Sequence, residues 1–300
     1  MSQFIFSHPY SKMVNNQSRR RRTRRRKQRG AALFGLLNNE VKPRCQCPRN
    51  VEDDVCNNEV VPGTLFCEKH QECKTPPSSG YELPYDPDKY NKDSAIRRTH
   101  NCLSYALGLM EPKAANACRE MSKKENCRHL FPQPGNRSRR RNMNKNSRLR
   151  CEVITELLVK DYPEIQPTSF YAKCPKNHYK IASVADRGND HHWYRQNPDG
   201  SWSHKSGEQD VSEKDALGQN IFNPKQAARD YTAKPGSNSN LNYEDFCGFF
   251  CVPRGLEGPD VSRKIEEEMQ RRMQRRLERR LEMKTRTLKT RTLKTRKSRN

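Results

Sequence analysis

The 300-residue sequence predicts an α+β fold between two strongly basic ends. Two helical patterns, at 102–110 and 151–160, come first along the chain. Four short segments with the character of β-strands follow, at 179–185, 191–196, 201–205 and 246–252. Helices followed by neighbouring antiparallel strands are typical of the α+β class.

Composition divides the chain into five predicted segments. They are a disordered basic arm at 1–44, a Cys/His zinc-binding segment at 45–74, a linker at 75–91, an α+β module at 92–253, and a basic helix with a repetitive tail at 254–300. Proline, glycine and serine mark the linker. Only the 92–253 module has the length and apolar content for a sizeable core.

The first predicted helix begins at Cys102 and follows Asn101, a residue type that caps helix N-termini. The second helix begins at Cys151 and carries Val153 and Leu157 on one side. Between them, residues 137–150 are polar and basic, which predicts a loop.

A turn is predicted at Asn197-Pro-Asp-Gly200, because proline presets φ and glycine tolerates the left-handed region. If this turn closes a hairpin, Tyr194 lies opposite His204. His192 is then the diagonal neighbour of His204 on the same face, whereas His191 points to the other face.

The positive charge lies at the two ends of the chain. Residues 1–44 hold 12 Lys/Arg against one acid and residues 261–300 hold 16 against five, so the ends supply +22 of the net +24. The arm has no apolar face and is expected to be disordered when free. Its predicted partner is nucleic acid, bound without sequence specificity through Arg19, Arg20, Arg21, Arg22, Arg24, Arg25, Arg26, Lys27 and Arg29.

Other partners would fit the same composition. A nuclear-import signal, an anionic membrane surface and a merely solvating tail remain alternatives.

The C-terminal segment predicts a basic helix. Apolar residues recur every four positions from Val261 to Leu281, and this spacing winds around a helix, which suits a short contact better than a long coiled coil. Paired arginines follow the stripe, and the predicted nucleic-acid contacts here are Arg275, Arg276, Arg279 and Arg280.

No membrane span is expected, because the longest apolar stretch, 30–37, is far shorter than the roughly 20 residues that cross a bilayer. The N-terminal residues lack the apolar core of a secretory signal, so secretion is not expected. Twelve cysteines in such a chain favour free thiols, metal ligands or a catalytic residue over disulfides.

A zinc site is predicted in the segment 45–74. The chosen ligands are Cys47, Cys56, Cys67 and His70, with Cys45 and Cys73 as possible replacements. Metal binding would substitute for the core that so short a segment lacks. Unliganded thiols in a loop are the alternative. The segment resembles small fingers with three cysteines and one histidine in proteins of large DNA viruses.

The remaining cysteines allow two weaker interpretations. A dispersed metal site would need ligands from separate parts of the chain: Cys118, Cys127, His129, Cys174 and His178. Cys247 and Cys251 flank an apolar stretch and are expected to be core thiols.

Cys102 is the candidate nucleophile. A helix N-terminus favours the thiolate and can also stabilise an oxyanion. His192 is the candidate base and His204 the residue that orients it, because a thiol needs a positioned imidazole. The alternative is that Cys102 is a small core residue and the histidines pack against aromatic neighbours.

With these three residues, the chain resembles the papain-like cysteine hydrolases, particularly NlpC-type peptidases and amidases, over about residues 95–253. The resemblance implies a helix bearing the cysteine packed on an antiparallel sheet bearing the two histidines. The long basic insertion at 111–150 and the block at 242–253 depart from that family.

The arm, the finger and the module together resemble an internal or capsid-associated protein of a large, nucleocytoplasmic DNA virus. The function this implies is a structural virion protein whose basic ends bind nucleic acid or an acidic protein surface such as a capsid. The expected location is then the virion, or the host nucleus or cytoplasm. A cysteine peptidase or amidase with Cys102 as nucleophile is the alternative.

Overall fold

A computed structural model describes residues 42–49, 54–121, 126–138, 149–232 and 239–297 of the chain. The arginines and the lysine predicted to bind nucleic acid between positions 19 and 29 lie outside the described residues. The prediction for this arm therefore stays a prediction.

A six-stranded antiparallel sheet forms the centre of the fold. Its spatial order is β1-β6-β2-β3-β4-β5. The strands are β1 (Gln166–Thr168), β2 (His178–Asp186), β3 (Asp190–Gln196), β4 (Trp202–Lys205), β5 (Val211–Ser212) and β6 (Asp245–Pro253). The four predicted strands are present within one or two residues, and the sheet adds β1 and β5.

Six α-helices occur in the described part of the chain. They are α1 (Asp88–Asn91), α2 (Ser94–Thr99), α3 (Cys102–Ala106), α4 (Pro112–Arg119), α5 (Cys151–Asp161) and α6 (Ser262–Lys297), with short 3-10 turns at Glu68–His70 and Arg128–Leu130. Together with the antiparallel sheet they confirm the predicted α+β class.

The β3–β4 hairpin has the predicted register. Asn197 and Ser201 close the turn through a backbone hydrogen bond of 2.8 Å, and Gly200 has a φ of 88°, which glycine adopts without strain. Tyr194 pairs with His204 across the two strands. The hairpin therefore carries His192 and His204 on one face of the sheet.

Helices cover one face of the sheet. Apolar side chains of α3 and α5 pack there against Ile181, Trp193 and Phe250, all buried. Alternation along the strands sends the neighbouring side chains to the opposite face. These include Tyr194, Trp202 and Phe249, and they form a second core under irregular chain rather than under helices.

Eight of the twelve cysteines are paired in disulfides: Cys47–Cys73, Cys118–Cys127, Cys151–Cys247 and Cys174–Cys251. The expectation that thiols would prevail is wrong for these residues. Cys247 and Cys251 are therefore not core thiols, because β6 places them beside partners on α5 and on the loop before β2. Cys45, Cys56, Cys67 and Cys102 remain free.

Helix α6 contacts the rest of the molecule near its start. Val261 is buried there, and the half-buried Ile265 packs against the same cluster. Further along, Met269, Met273, Leu277 and Leu281 are more than half exposed. Within the described residues, no helix has the length and hydropathy to cross a membrane.

Candidate active site and metal group

Asn101 fixes the start of α3 and thereby the position of Cys102. Its side chain accepts a hydrogen bond from the Ser104 backbone N–H at 3.1 Å, and the Ser104 hydroxyl lies 3.3 Å from the Asn101 backbone nitrogen. This reciprocal capping box makes Cys102 the first residue of the helix, as predicted. The Asn101 amide also donates to the carbonyl of Pro132, so the 131–135 loop lies beside Cys102.

His192 and His204 form a buried imidazole pair. His192 Nε2 lies 2.8 Å from His204 Nδ1, and His204 Nε2 lies 2.9 Å from the carbonyl oxygen of Lys214. A carbonyl can only accept, so His204 carries its proton on Nε2 and accepts on Nδ1 when it is neutral. His192 must then donate from Nε2, which leaves its Nδ1 unprotonated.

The neighbouring His191 is fully engaged on the other face of the sheet. Its Nδ1 accepts from the Trp193 indole at 3.0 Å, and its Nε2 lies 2.8 Å from Gln133 Oε1. Both ring nitrogens therefore have partners. His192 differs, because no hydrogen bond to its Nδ1 is found among the described residues.

Cys102, His192 and His204 line one cavity of about 1160 Å³. The Cys102 thiol lies 3.9 Å from the carbonyl oxygen of His191, the residue before His192. Across the described chain the thiol makes no hydrogen bond to the His192 ring itself. The three predicted residues thus line one cavity. The thiol packs on the helix-covered face beside the β3 backbone, whereas the His192 ring lies with Tyr194 on the opposite face.

Burial sets the protonation states of Cys102 and His192. It raises the pKa of the Cys102 thiol far above its ordinary value, and the carboxylate of Asp190 adds to that shift. Burial also lowers the pKa of His192 well below its ordinary value, and the neighbouring imidazoles of His204 and His191 act in the same direction. At neutral pH the site therefore holds a thiol and a neutral imidazole.

Tyr243 and Asp190 complete the wall around His192. The Tyr243 ring lies 5.4 Å from the His192 ring, centroid to centroid, and its hydroxyl donates to Asp190 at 2.9 Å. Sequence reasoning missed both residues. Tyr243 lies about 50 positions from β3 in an irregular segment, and no periodicity in the sequence connects the two.

Cys45, Cys56, Cys67 and His70 form a group that could hold a metal ion, with all four ligand atoms within 4.8 Å of one another. Three of these residues were predicted ligands. Cys45 is the fourth, and the choice of Cys47 is wrong because Cys47 is bonded to Cys73. In an extended chain the side chains of residues 45 and 47 point to the same side. The sequence alone therefore could not show which of the two cysteines joins the group.

The spacing of the group suits a tetrahedral ion. Zinc–sulfur and zinc–nitrogen bonds of roughly 2.3 and 2.0 Å require edges of about 3.8 Å between sulfurs and about 3.5 Å between sulfur and nitrogen. The Cys56 and Cys67 sulfurs are 3.9 Å apart. His70 Nδ1 lies 3.4 Å from the sulfurs of both Cys45 and Cys67.

The other predicted metal set does not assemble. Cys118 is bonded to Cys127, and Cys174 to Cys251, so these sulfurs are not available as ligands. His129 and His178 hydrogen-bond to backbone carbonyls near them in sequence.

Comparison with known proteins gives one weak similarity. A stretch of 168 residues is 27% identical to "Insoluble matrix shell protein 1" of Ruditapes philippinarum, covering 56% of this chain and 88% of that protein. No protein-family model matches the chain, and no solved structure matches it significantly.

The raised pKa of Cys102 predicts how its reactivity depends on pH. Alkylation by iodoacetamide should keep rising above pH 8.5, roughly the ordinary thiol pKa, because the folded thiol loses its proton only at higher pH. Peptide mapping of the disulfide-intact protein by mass spectrometry separates Cys102 from the other free thiols. A rate that reaches a plateau between pH 5 and 7 would contradict the buried neutral thiol.

Proposed function

We propose that this protein is a cysteine-dependent hydrolase of the peptidase or amidase type, acting in the cavity lined by Cys102 and His192. The observation that carries the proposal is the buried 2.8 Å hydrogen bond between His192 and His204, in a cavity that also contains a free thiol. A nucleophile, a base and a group that orients the base are the elements that thiol catalysis needs.

The proposed step is an acyl transfer. Cys102 Sγ attacks the carbonyl carbon of an amide while its proton passes through a water molecule in the shared cavity to His192 Nδ1. The tetrahedral intermediate then collapses, the C–N bond breaks, and the leaving amine takes the proton from His192. Water hydrolyses the resulting thioester, with His192 as the base and the thiol restored.

The Cys102 thiol and the His192 imidazole both start out neutral. The thiol is therefore expected to lose its proton as it attacks, and not to form a thiolate–imidazolium ion pair beforehand. Because its Nε2–H donates to the Lys214 carbonyl, a neutral His204 presents an unprotonated Nδ1 to His192. Protonated His192 could therefore retain the hydrogen bond to His204, which stabilises the imidazolium as it forms. His191 is less suited to act as the base, since both of its nitrogens have partners.

Turnover of a panel of fluorogenic peptide amides tests the proposal. The variant Cys102→Ser should lose essentially all activity, and His192→Ala should lose a factor of roughly 10² to 10⁴, as expected for a general base. His191→Ala is the matched control and should retain most of the rate. Equal loss in the two histidine variants, or undiminished turnover by Cys102→Ser, would rule out the assigned roles.

We also propose that α6 binds polyanions, with nucleic acid or an acidic protein surface such as a capsid as its partner. All four arginines are exposed. Among the described residues no acidic partner of Arg276 or Arg280 is found, whereas Arg275 pairs with Glu268 at 2.8 Å and Arg279 donates to the carbonyl of Arg275. Neutralised phosphates release counterions, so such contacts give affinity without sequence specificity. The four arginines form two pairs, 275/276 and 279/280, which lie about one helical turn apart.

Binding to duplex DNA as a function of salt tests the role of α6. Replacing all four arginines by glutamine should reduce the slope of log K against log salt by about 3 to 4, at roughly 0.9 per phosphate contact. The control replaces four exposed basic residues outside the helix: Arg119, Arg128, Arg187 and Arg254. An unchanged slope in the α6 variant would remove this helix from the interface.

We propose zinc as the ion of the Cys45, Cys56, Cys67 and His70 group. Three thiolates and one imidazole are a typical structural zinc set, and the sulfur and nitrogen separations match a tetrahedron of that size. Four protein ligands leave no open position, so the ion would stabilise the fold and take no part in the reaction.

Metal analysis of the purified protein tests the zinc assignment. One zinc per chain is expected, and Cys45→Ser should lose it, because three ligands bind the ion far more weakly. The double variant Cys47→Ser/Cys73→Ser is the control and should retain it. Retention in Cys45→Ser together with loss in the double variant would favour Cys47 as the ligand instead.

The four disulfides support oxidising surroundings, such as a virion or another extracellular location. The attribution to a large DNA virus rests on the resemblance of the arm and the finger alone. We propose no matrix role from the similarity to the insoluble matrix shell protein.

A further inference from the structure

Gln46 connects the metal group to a distant loop. It is 1% exposed and lies between Cys45, a residue of that group, and the disulfide-bonded Cys47. Its side-chain oxygen accepts from the backbone N–H groups of Phe222 and Asn223, at 2.7 and 3.1 Å.

The same side chain also donates. Its amide nitrogen lies 2.9 Å from the carbonyl oxygen of Asn220. One buried glutamine thus satisfies three backbone groups of an irregular segment that is more than 170 positions away in the chain. Removing this side chain would leave two backbone N–H groups and one carbonyl of the segment without the partner that Gln46 supplies.

The clamped segment reaches the imidazole pair. Ile221 N–H donates to Glu213 O and Asp215 N–H to Gln219 O, so residues 213–221 form a tight, hairpin-like loop. Lys214, at its near end, supplies the carbonyl that accepts from His204 Nε2 at 2.9 Å. Lys214 and Asp215 also line the cavity.

Two further contacts tie the metal segment to this loop region. The Phe66 and Phe222 rings meet edge to face with centroids 4.9 Å apart. The Cys56 backbone N–H donates to the side-chain oxygen of Gln226 at 3.2 Å, so a second ligand residue of the group is fixed to the same region.

We propose that Gln46 is a positioning residue for the catalytic imidazoles. The metal group holds Gln46, Gln46 holds the 213–223 loop, and the Lys214 carbonyl of that loop fixes the tautomer of His204 and hence the orientation of His192. This inference rests on the proposed hydrolase for its functional meaning, whereas its structural steps are independent of catalysis. Loss of the metal would therefore increase the mobility of the 213–223 loop and of the His204 ring.

The experiment compares full-length, metal-loaded wild type with Gln46→Ala. Hydrogen exchange in residues 213–223 should be about tenfold faster in the variant, since its amides lose their buried acceptor. The downfield Nε2–H signal of His204 in the proton NMR spectrum should weaken or disappear. The rate of Cys102 alkylation at fixed pH should change with it, because the base beside the thiol is no longer fixed.

Gln71→Ala is the matched control. Gln71 lies in the same metal segment, but its side chain donates to the backbone carbonyls of Phe66 and Cys67, and among the described residues it has no hydrogen bond to the 213–223 loop. Its exchange and His204 signal should equal those of wild type. Gln46→Glu keeps the acceptor oxygens and loses the donor to Asn220, so it should give a smaller effect than alanine. Treatment of the wild type with a zinc chelator needs no substitution and should reproduce the alanine result.

The results separate the inference from the function. An unchanged His204 signal and unchanged loop exchange, both in folded Gln46→Ala and after chelation, would overturn the inference. If Gln46→Ala fails to fold, Gln46→Glu and the chelated wild type decide in the same way. Loss of the His204 signal in Gln46→Ala, together with a wild type that turns over no substrate, would support the positioning role of Gln46 and overturn only the hydrolase proposal.

Discussion

The buried hydrogen bond between His192 and His204 is the interaction on which the candidate site depends. It exists because the β3–β4 turn places Tyr194 opposite His204, which sets His192 one diagonal step away on the same face. A register shift of one residue would leave His204 without its partner. A four-residue turn thus determines which imidazole pairs with His204.

The fold supports this pair with constraints from several directions. Disulfides join α5 and the segment before β2 to β6, and thereby fix irregular chain to the centre of the sheet. The metal group and Cys47–Cys73 order the short N-terminal segment, which has no apolar core of its own. This segment then contacts the loop that carries the Lys214 carbonyl. On the second face of the sheet, disulfides and the Cys45, Cys56, Cys67 and His70 group therefore take the place of helices.

Much of the fold could be predicted from local signals. The Asn101 cap, the amphipathic pattern of α5 and the Asn-Pro-Asp-Gly turn each act over a few residues, so sequence alone placed Cys102, His192 and His204. The pairing of the cysteines could not be predicted, because it depends on which strands become neighbours. Cys45 and Cys47 illustrate the limit, since two cysteines in one tripeptide have different partners that lie more than 20 positions away. Tyr243, Gln46 and Lys214 escaped notice for the same reason.

The tautomer of His192 is the most direct test of this account. In protein labelled with 15N at the histidine rings, long-range NMR correlations distinguish a protonated ring nitrogen from a bare one. At neutral pH, Nε2 of both His192 and His204 should carry a proton, and Nδ1 of His192 should be bare. A proton on Nδ1 of His192, or a doubly protonated His192, would contradict the claim that this imidazole is held ready to accept the thiol proton.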